Sequence, residues 1–295
     1  MTLKNKRILV TGGTGFIGQN LVKKCQSLGT LVDIFDISKG QDIENTKQLG
    51  KCIKNKYDII FHLAGFSGSA ESNKEKLKCL RINLLASVNL YDLITKFSPK
   101  TKLILSSSRL EYGPPQYLPV DEKHPTLPTS TYGLTKLTAT QMAIIYHNQA
   151  GLDVTIFRTS NVYGPHRSNK FSGYNVINHF IDLAKDEKPL VIFGDGNQQR
   201  DYLYIDDFIE AVLLAVTQNT SGQIFNLGAG TGIKFKKMAE LIIKKVGKGA
   251  VKYVKWPDDF LILETGSYIS DIRKIKRELG FSPKISFEEG IKKSL

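Results

Sequence analysis

Val10-Thr11-Gly12-Gly13-Thr14-Gly15-Phe16-Ile17-Gly18 carries the apolar run Arg7 to Thr11 into a glycine-rich turn and then into Phe16 to Leu28, whose apolar residues recur at helical spacing. A strand that enters a helix through glycines builds a binding place for an anion. Gly12 permits the tight turn, Gly15 lets the backbone approach a pyrophosphate, and Gly18 allows the helix to pack closely on the strand. The helix N-terminus offers unpaired N–H groups and the positive end of its dipole to that anion. Asp36 follows 24 residues after Gly12, at the end of a second strand run, Leu31 to Asp36. A carboxylate near that spacing accepts hydrogen bonds from the adenosine ribose hydroxyls and repels a 2′-phosphate. Turn and carboxylate together predict a dinucleotide site that prefers NAD to NADP.

The alternation continues outward from this motif. Asp58 to Ala64, Leu103 to Ser106 and Val154 to Arg158 are further buried-strand runs, with helix-period stretches at 71 to 97 and 131 to 149 between them. Strands separated by crossover-length helices predict an α/β fold, a doubly wound parallel sheet with ligands beyond the carboxyl ends of its strands. After about residue 165 the segments GPHRSNKFSGYN, FGDGNQQRD and NLGAGTG bring frequent glycine, asparagine and proline, and helical patterns recur at 175 to 186, 205 to 217, 234 to 246 and 288 to 294. We read 1 to 165 as the dinucleotide-binding domain, with returning segments at about 190 to 230. Residues 166 to 295 read mainly as a smaller, partly interleaved substrate lobe that closes over a cleft.

Composition excludes several classes. With 295 residues, 41% hydrophobic and 23% charged, the chain is an ordinary globular mix, not disordered, collagenous or coiled-coil. Cys25, Cys52 and Cys79 lie far apart with no C-x-x-C pair, which argues against a disulfide framework or a cysteine zinc site and for a reducing compartment. His62 and His124 are not at metal-ligand spacing, so no metal is expected. Without an uninterrupted apolar stretch of about 18 residues or a secretory leader, the sequence reads as cytoplasmic, with no membrane partner. The formal net charge is +13, from 33 Lys and 8 Arg against 28 acidic residues. The lysines are spread in ones and twos rather than in a basic run interleaved with aromatics, so no nucleic-acid partner is expected, whereas small anions are attracted.

Tyr132 and Lys136 stand four residues apart in STYGLTKLTATQMA, a helical segment with Ser130 near its start, so both side chains share one face. A free phenol has a pKa of about 10. A nearby ammonium and a cationic nicotinamide favour the phenolate, which makes Tyr132 usable as a base. Upstream, Ser106-Ser107-Ser108 follows a strand and falls at the sheet's carboxyl edge, where a serine can bond a substrate hydroxyl or carbonyl.

Glycine motif, strand-end serine and Tyr-x-x-x-Lys, in this order, resemble the extended short-chain dehydrogenase/reductases, specifically their nucleotide-sugar epimerase/dehydratase branch. TGGTGFIG, HLAG at 62 to 65, SSSRLEYG at 106 to 113, YGLTK at 132 to 136, RTSNVYGP at 158 to 165, FGDGNQQRDYLYIDD at 193 to 207 and SDIRKIKRELGFSPK at 270 to 284 carry the likeness over nearly the whole chain. The resemblance implies a Ser108, Tyr132, Lys136 triad, with Lys136 also bonding the nicotinamide ribose. It implies that Asp42 and Ile43 flank the adenine and that Leu63, Ala64 and Gly65 line the middle of the cofactor. Phe16, Ile17, Ser106 and Val162 complete the implied cofactor set. Ser108, Asn161, Val176 and Arg200 are the implied contacts to a nucleotide-diphosphate sugar, Asn161 and Arg200 on the diphosphate or base side. A homodimer through helices at about 84 to 97 and 134 to 149 resembles the family too.

Relatives that dehydrate or decarboxylate carry an acid just after the catalytic hydroxyl, in runs resembling T-D-E-V-Y-G. Here those positions are Arg109 and Leu110, and the acid, Glu111, comes one place later, where an extended chain faces the other way unless a bulge intervenes. The expected activity is therefore NAD-dependent epimerisation through a transient 4-keto sugar. A reductase of a nucleotide-linked 4-keto-6-deoxy sugar is the alternative, and a non-catalytic dinucleotide-binding protein is the third reading.

Overall fold

The computed structural model describes residues 3–165 and 176–295. Its strands are β1 (Arg7–Thr11), β2 (Leu31–Phe35), β3 (Ile59–His62), β4 (Lys102–Ser108), β5 (Val154–Thr159), β6 (Asn161–Tyr163), β7 (Leu190–Phe193), β8 (Gln199–Tyr204), β9 (Gln223–Leu227), β10 (Gly232–Lys234) and β11 (Val251–Val254). Six of them form a parallel sheet in the order β2-β1-β3-β4-β5-β9. The apolar strand runs make this sheet because successive side chains point to opposite faces and both faces are covered. On β1, Ile8 and Val10 face one core and Leu9 the other; on β3, Ile59 and Phe61 oppose Ile60.

Its helices include α1 (Phe16–Ser27), α2 (Thr46–Ile53), α3 (Ser69–Lys74), α4 (Lys76–Cys79), α5 (Ala86–Phe97), α6 (Thr131–Ala150), α7 (Val176–Lys185), α8 (Ile205–Thr217) and α9 (Phe235–Val246). Leu21, Val22 and Cys25 of α1 and Phe208 and Val212 of α8 bury one face. Leu49 of α2, Leu90, Tyr91 and Ile94 of α5 and Ala143 of α6 bury the other. From β1 the chain goes to β2 on one side and β3 takes the other, so a crevice opens over the carboxyl ends of β1 and β3.

The helix-period stretch at 71 to 97 is broken. After α4 the chain makes a π-helical turn over Leu80–Leu85 before α5 begins. The Asn83 side chain there turns inward, accepting from the Phe66 N–H at 2.7 Å and donating to its carbonyl at 2.9 Å, so the turn serves as a brace for the loop after β3. The helix expected from 175 begins at Val176, and position 175 lies outside the described residues.

The later half adds two small sheets, β10-β8-β6 and β11-β7, with α7 packed on α9. Their anchor is Asp201, fully buried on β8, whose carboxylate accepts the N–H groups of Ala229, Gly230 and Ser270 at 2.7, 3.1 and 2.9 Å. Backbone donors from two distant segments thus meet one charge, which an irregular lobe uses in place of a larger apolar core.

Gly12 adopts φ +71°, and a Cβ there would lie 2.7 Å from the Ala64 nitrogen. Left-handed strain in a non-glycine residue costs about 1–3 kcal/mol, before the backbone collision is counted. Gly12→Ala should therefore lower unfolding free energy by at least that amount in urea titration; an unmoved midpoint would contradict the close approach.

Candidate active site

A cavity of about 1020 Å³ lies over the carboxyl ends of the sheet. The glycine turn forms one end. Gly18 sits against Gly12 and Gly13, where a Cβ would lie 2.7 Å from the Gly13 Cα, so α1 starts in contact with the turn. Asp36 closes this end: one carboxylate oxygen accepts the Thr14 N–H at 3.1 Å and the other the Ser38 N–H at 3.0 Å. Burial works against its charge, but these donors outweigh it and hold the carboxyl below the usual range. A carboxylate oxygen can accept more than one hydrogen bond, as recognition of a ribose diol requires. Backbone donors at a helix start, a carboxylate opposite them and a cavity at the upper end of small-molecule pocket sizes fit a dinucleotide.

The residues singled out from the sequence come together here. Gly12, Gly15, Phe16, Ile17, Gly18 and Asp36 line the cavity at the turn, Asp42 and Ile43 beside them, and Leu63, Ala64 and Gly65 at the end of β3. Ser106, Ser108, Tyr132 and Lys136 line its inner wall, with Asn161, Val162 and Val176 facing from the second lobe. Arg200 is the exception. It does not reach the lining, and its guanidinium makes a bidentate pair with Glu264 at 2.6 and 2.7 Å and donates to the Gly266 carbonyl at 2.6 Å. Tyr202, Ser160 and Gln41 also line the cavity and carry buried oxygens without hydrogen-bond partners among the described residues. Their sequence context distinguishes none of them from packing residues.

Local chemistry sets the inner wall. Ser130 caps α6, accepting the Gly133 N–H at 3.1 Å, and α3 supports the same helix end through Asn73 and Ser72, which accept the Thr131 and Tyr132 N–H groups at 2.8 and 3.2 Å. Lys136 Nζ donates to the Ser106 carbonyl at 3.0 Å and lies 5.9 Å from the Tyr132 ring centre. Loss of water pushes Lys136 down to about 8, against the field of Glu111, which raises it. The same loss of water pushes the Tyr132 phenol up to about 12, and the hydrogen-bonding Ser108 hydroxyl offsets part of this. The protein's own groups therefore do not deliver the lowered phenol expected from the Tyr-Lys spacing, because desolvation outweighs the Ser108 hydrogen bond. His62 is fully enclosed, bonded to Thr11 Oγ1 at 2.7 Å and Ser87 Oγ at 2.9 Å, and burial holds it down at about 3. It is a neutral strut, and Thr11 in turn accepts the Ala64 N–H at 3.3 Å, fixing the loop that lines the cavity.

Glu111 does not face the cavity. Arg109–Glu111 form one tight turn after β4, which leaves Leu110 in the lining and sends Glu111 inward. Its carboxylate accepts from Ser107 and from Thr140 at 2.6 Å and pairs with Arg158 at 2.6 Å, all buried. Ser107 belongs to β4 and Thr140 to α6, so this buried acid joins the two elements that carry Ser108, Tyr132 and Lys136.

The chain belongs to the NAD dependent epimerase/dehydratase family, whose model matches residues 8–228. It is 33% identical, over 97% of its length and 96% of the relative's, to a Methanocaldococcus jannaschii protein provisionally named UDP-glucose 4-epimerase. It is 31% identical to a UDP-glucuronate 4-epimerase of Thermodesulfobacterium geofontis, covering 97% and 94% of the two chains. Among solved structures, UDP-glucose 4-epimerase from Thermotoga maritima with UDP-glucose superposes at TM-score 0.89 with 29% identity, over 98% and 97% of the chains. Decarboxylases and 4,6-dehydratases also match, at 28% and 27% identity.

Breaking a buried ion pair by removing one charge costs about 3–5 kcal/mol, because the other charge is left in a dry site. Glu111→Gln should lose that much stability. Adding Arg158→Met should recover part of it, since no buried charge is then unpaired. Urea unfolding reads both variants, and losses that simply add would contradict the coupling.

Proposed function

We propose that the protein is an NAD-dependent epimerase of a nucleotide-diphosphate sugar, inverting C4 through a transient 4-keto intermediate. The observation that carries this reading is the inner wall itself. Ser108, Tyr132 and Lys136 line one cavity with the glycine turn and Asp36, while Leu110 occupies the place of an eliminating acid and Glu111 is turned into the core. A sugar held there meets groups for moving one proton, and among the described residues no acid stands beside Ser108 in the lining.

In this reading NAD, when bound on the turn and Asp36, supplies a reversible hydride acceptor and a positively charged ring. Tyr132 Oη takes the proton of the C4 hydroxyl and later returns it. Ser108 bonds the same oxygen and keeps it aligned with the phenol. Lys136 bonds the nicotinamide ribose and places its charge beside Tyr132; the tie to the Ser106 carbonyl supports its orientation. Proton relay between a positioned phenol and a substrate oxygen needs hydrogen-bond reach, which the shared wall provides. Asn161 and Val176 contact the substrate from the second lobe. Arg200, once released from Glu264, bonds the diphosphate with two parallel N–H donors.

Incubation of purified protein with UDP-, dTDP-, GDP- and CDP-sugars, with no cofactor added, should interconvert C4 epimers. Strict consumption of reduced cofactor would instead identify a 4-keto reductase. Tyr132→Phe should reduce turnover by at least about 100-fold, within the span of general acid–base contributions, and leave NAD binding nearly unchanged; retention of a tenth of the activity would exclude Tyr132 as the base. Asp36→Ala should weaken NAD more than NADP in titration, and an unaltered preference would remove Asp36 from cofactor selection.

A further inference from the structure

A short loop carries the cavity wall from Asp36 to Gln41. β2 ends at Phe35, a single tight turn follows over Ile37–Lys39, and Gly40, at φ +73°, lets the chain double back. The Gln41 N–H then returns to the Asp36 carbonyl at 3.1 Å, while the Asp36 carboxylate accepts the Ser38 N–H at 3.0 Å within the loop. The backbone of Gln41 is thus tied to that of the residue assigned above to the ribose diol.

Two side chains of this loop lack the surroundings their chemistry calls for. Gln41 lines the cavity, yet its amide oxygen is shut off from water and has no hydrogen-bond partner among the described residues. An enclosed acceptor of this kind is normally bonded, because leaving it without a donor forfeits its hydration for nothing. Ile37 lines the same cavity and is 70% exposed, an apolar side chain left in water on the wall of a site. The next residue is partly committed: one Asp42 carboxylate oxygen accepts the Glu44 N–H at 2.9 Å, and the Asp42 N–H goes to the Gln48 side-chain oxygen at 3.0 Å.

Beside the ribose carboxylate, then, stand an acceptor short of a donor and an apolar surface short of a cover. A purine carrying an exocyclic amine supplies both, the first through its edge and the second through its face. A glutamine amide matches an adenine edge at two points, its oxygen accepting from the 6-amino group and its NH2 donating to a ring nitrogen.

We propose that Gln41 is the base-reading residue of the dinucleotide site: its amide oxygen accepts the 6-amino group of adenine, and Ile37 covers a face of the same ring. The covalent structure of the cofactor fits this order, since adenine is joined directly to the ribose that Asp36 would hold. Ser160 and Tyr202, the other lining residues with unpartnered buried oxygens, stand after β5 and on β8 and not on this loop. Selection of the base in this way would operate in an epimerase and in a reductase alike.

The full chain, freed of nucleotide, is titrated with NAD and with nicotinamide hypoxanthine dinucleotide, in which a carbonyl replaces the 6-amino group, alongside Gln41→Met, Gln41→Glu and Ile37→Ser. Wild type should bind NAD at least about tenfold tighter than the analogue, because two acceptors would otherwise face each other away from water. Gln41→Met should bring the two ligands within about threefold of each other, mainly by weakening NAD, whereas Gln41→Glu, which presents acceptors alone, should keep the preference. Ile37→Ser should weaken both ligands alike by about fivefold, since they share the ring face, and an unchanged affinity would overturn the ring contact. Equal wild-type affinities, or a preference for hypoxanthine, would overturn the base-reading role and leave the cofactor site standing. So would a Gln41→Met variant that retains the wild-type preference, which would place the reading in another residue, or one that weakens both ligands equally, which would make Gln41 a packing residue. Failure of both dinucleotides to bind would overturn the proposal together with the cofactor site.

Discussion

Helix α6 is tied to β4 and the turn after it by polar contacts that include Lys136 Nζ to the Ser106 carbonyl and Thr140 to the buried Glu111 carboxylate. Lys136 and Thr140 are one helical turn apart and share a face. The same turn therefore carries a group toward the cavity and a group that fixes the helix to the sheet. Ser108 sits at the end of the strand so fixed, and its distance from Tyr132 depends on this docking. Arg158 pairs with Glu111, so the acid beneath the site has its counter-charge beside it.

The central sheet was legible because its signal is local. A buried parallel strand is a short apolar run, and Arg7 to Thr11, Asp58 to Ala64 and Val154 to Arg158 are such runs within a residue or two of the observed strands. The glycine turn was legible for the same reason, since Gly12 and Gly18 are required by backbone geometry that the sequence states directly. The break between α4 and α5 was not. Residues 71 to 97 keep helical spacing throughout, and only the inward turn of Asn83 to Phe66, seventeen residues away, decides where the helix is interrupted.

The second lobe shows the limit of such reading more sharply. Arg200 was legible as a guanidinium in a recognisable run, but its pairing with Glu264 joins residues sixty-four apart. Asp201 looks like any polar strand residue until Ala229, Gly230 and Ser270 are seen to converge on it. In a lobe with short strands, such long-range polar contacts replace the apolar periodicity on which prediction depends. Tyr202 belongs to the same class, being distinguished by a hydroxyl without a partner among the described residues and not by its place in a pattern.

Charge divides between these two levels. The eight arginines include the buried or half-buried forks, Arg158 on Glu111 and Arg200 on Glu264, where bidentate or directional bonding fixes a geometry. The thirty-three lysines are mostly dispersed on the surface, and Lys136 and Lys78 are the lysines that reach the cavity lining among the described residues. A diffuse excess of thirteen positive charges acts at a distance, raising the local concentration of anionic ligands and weakening as salt rises. It contributes to the encounter and not to the choice among ligands. Selection has to come from the few groups that lose their water on binding, where an unpaired donor carries a full desolvation cost.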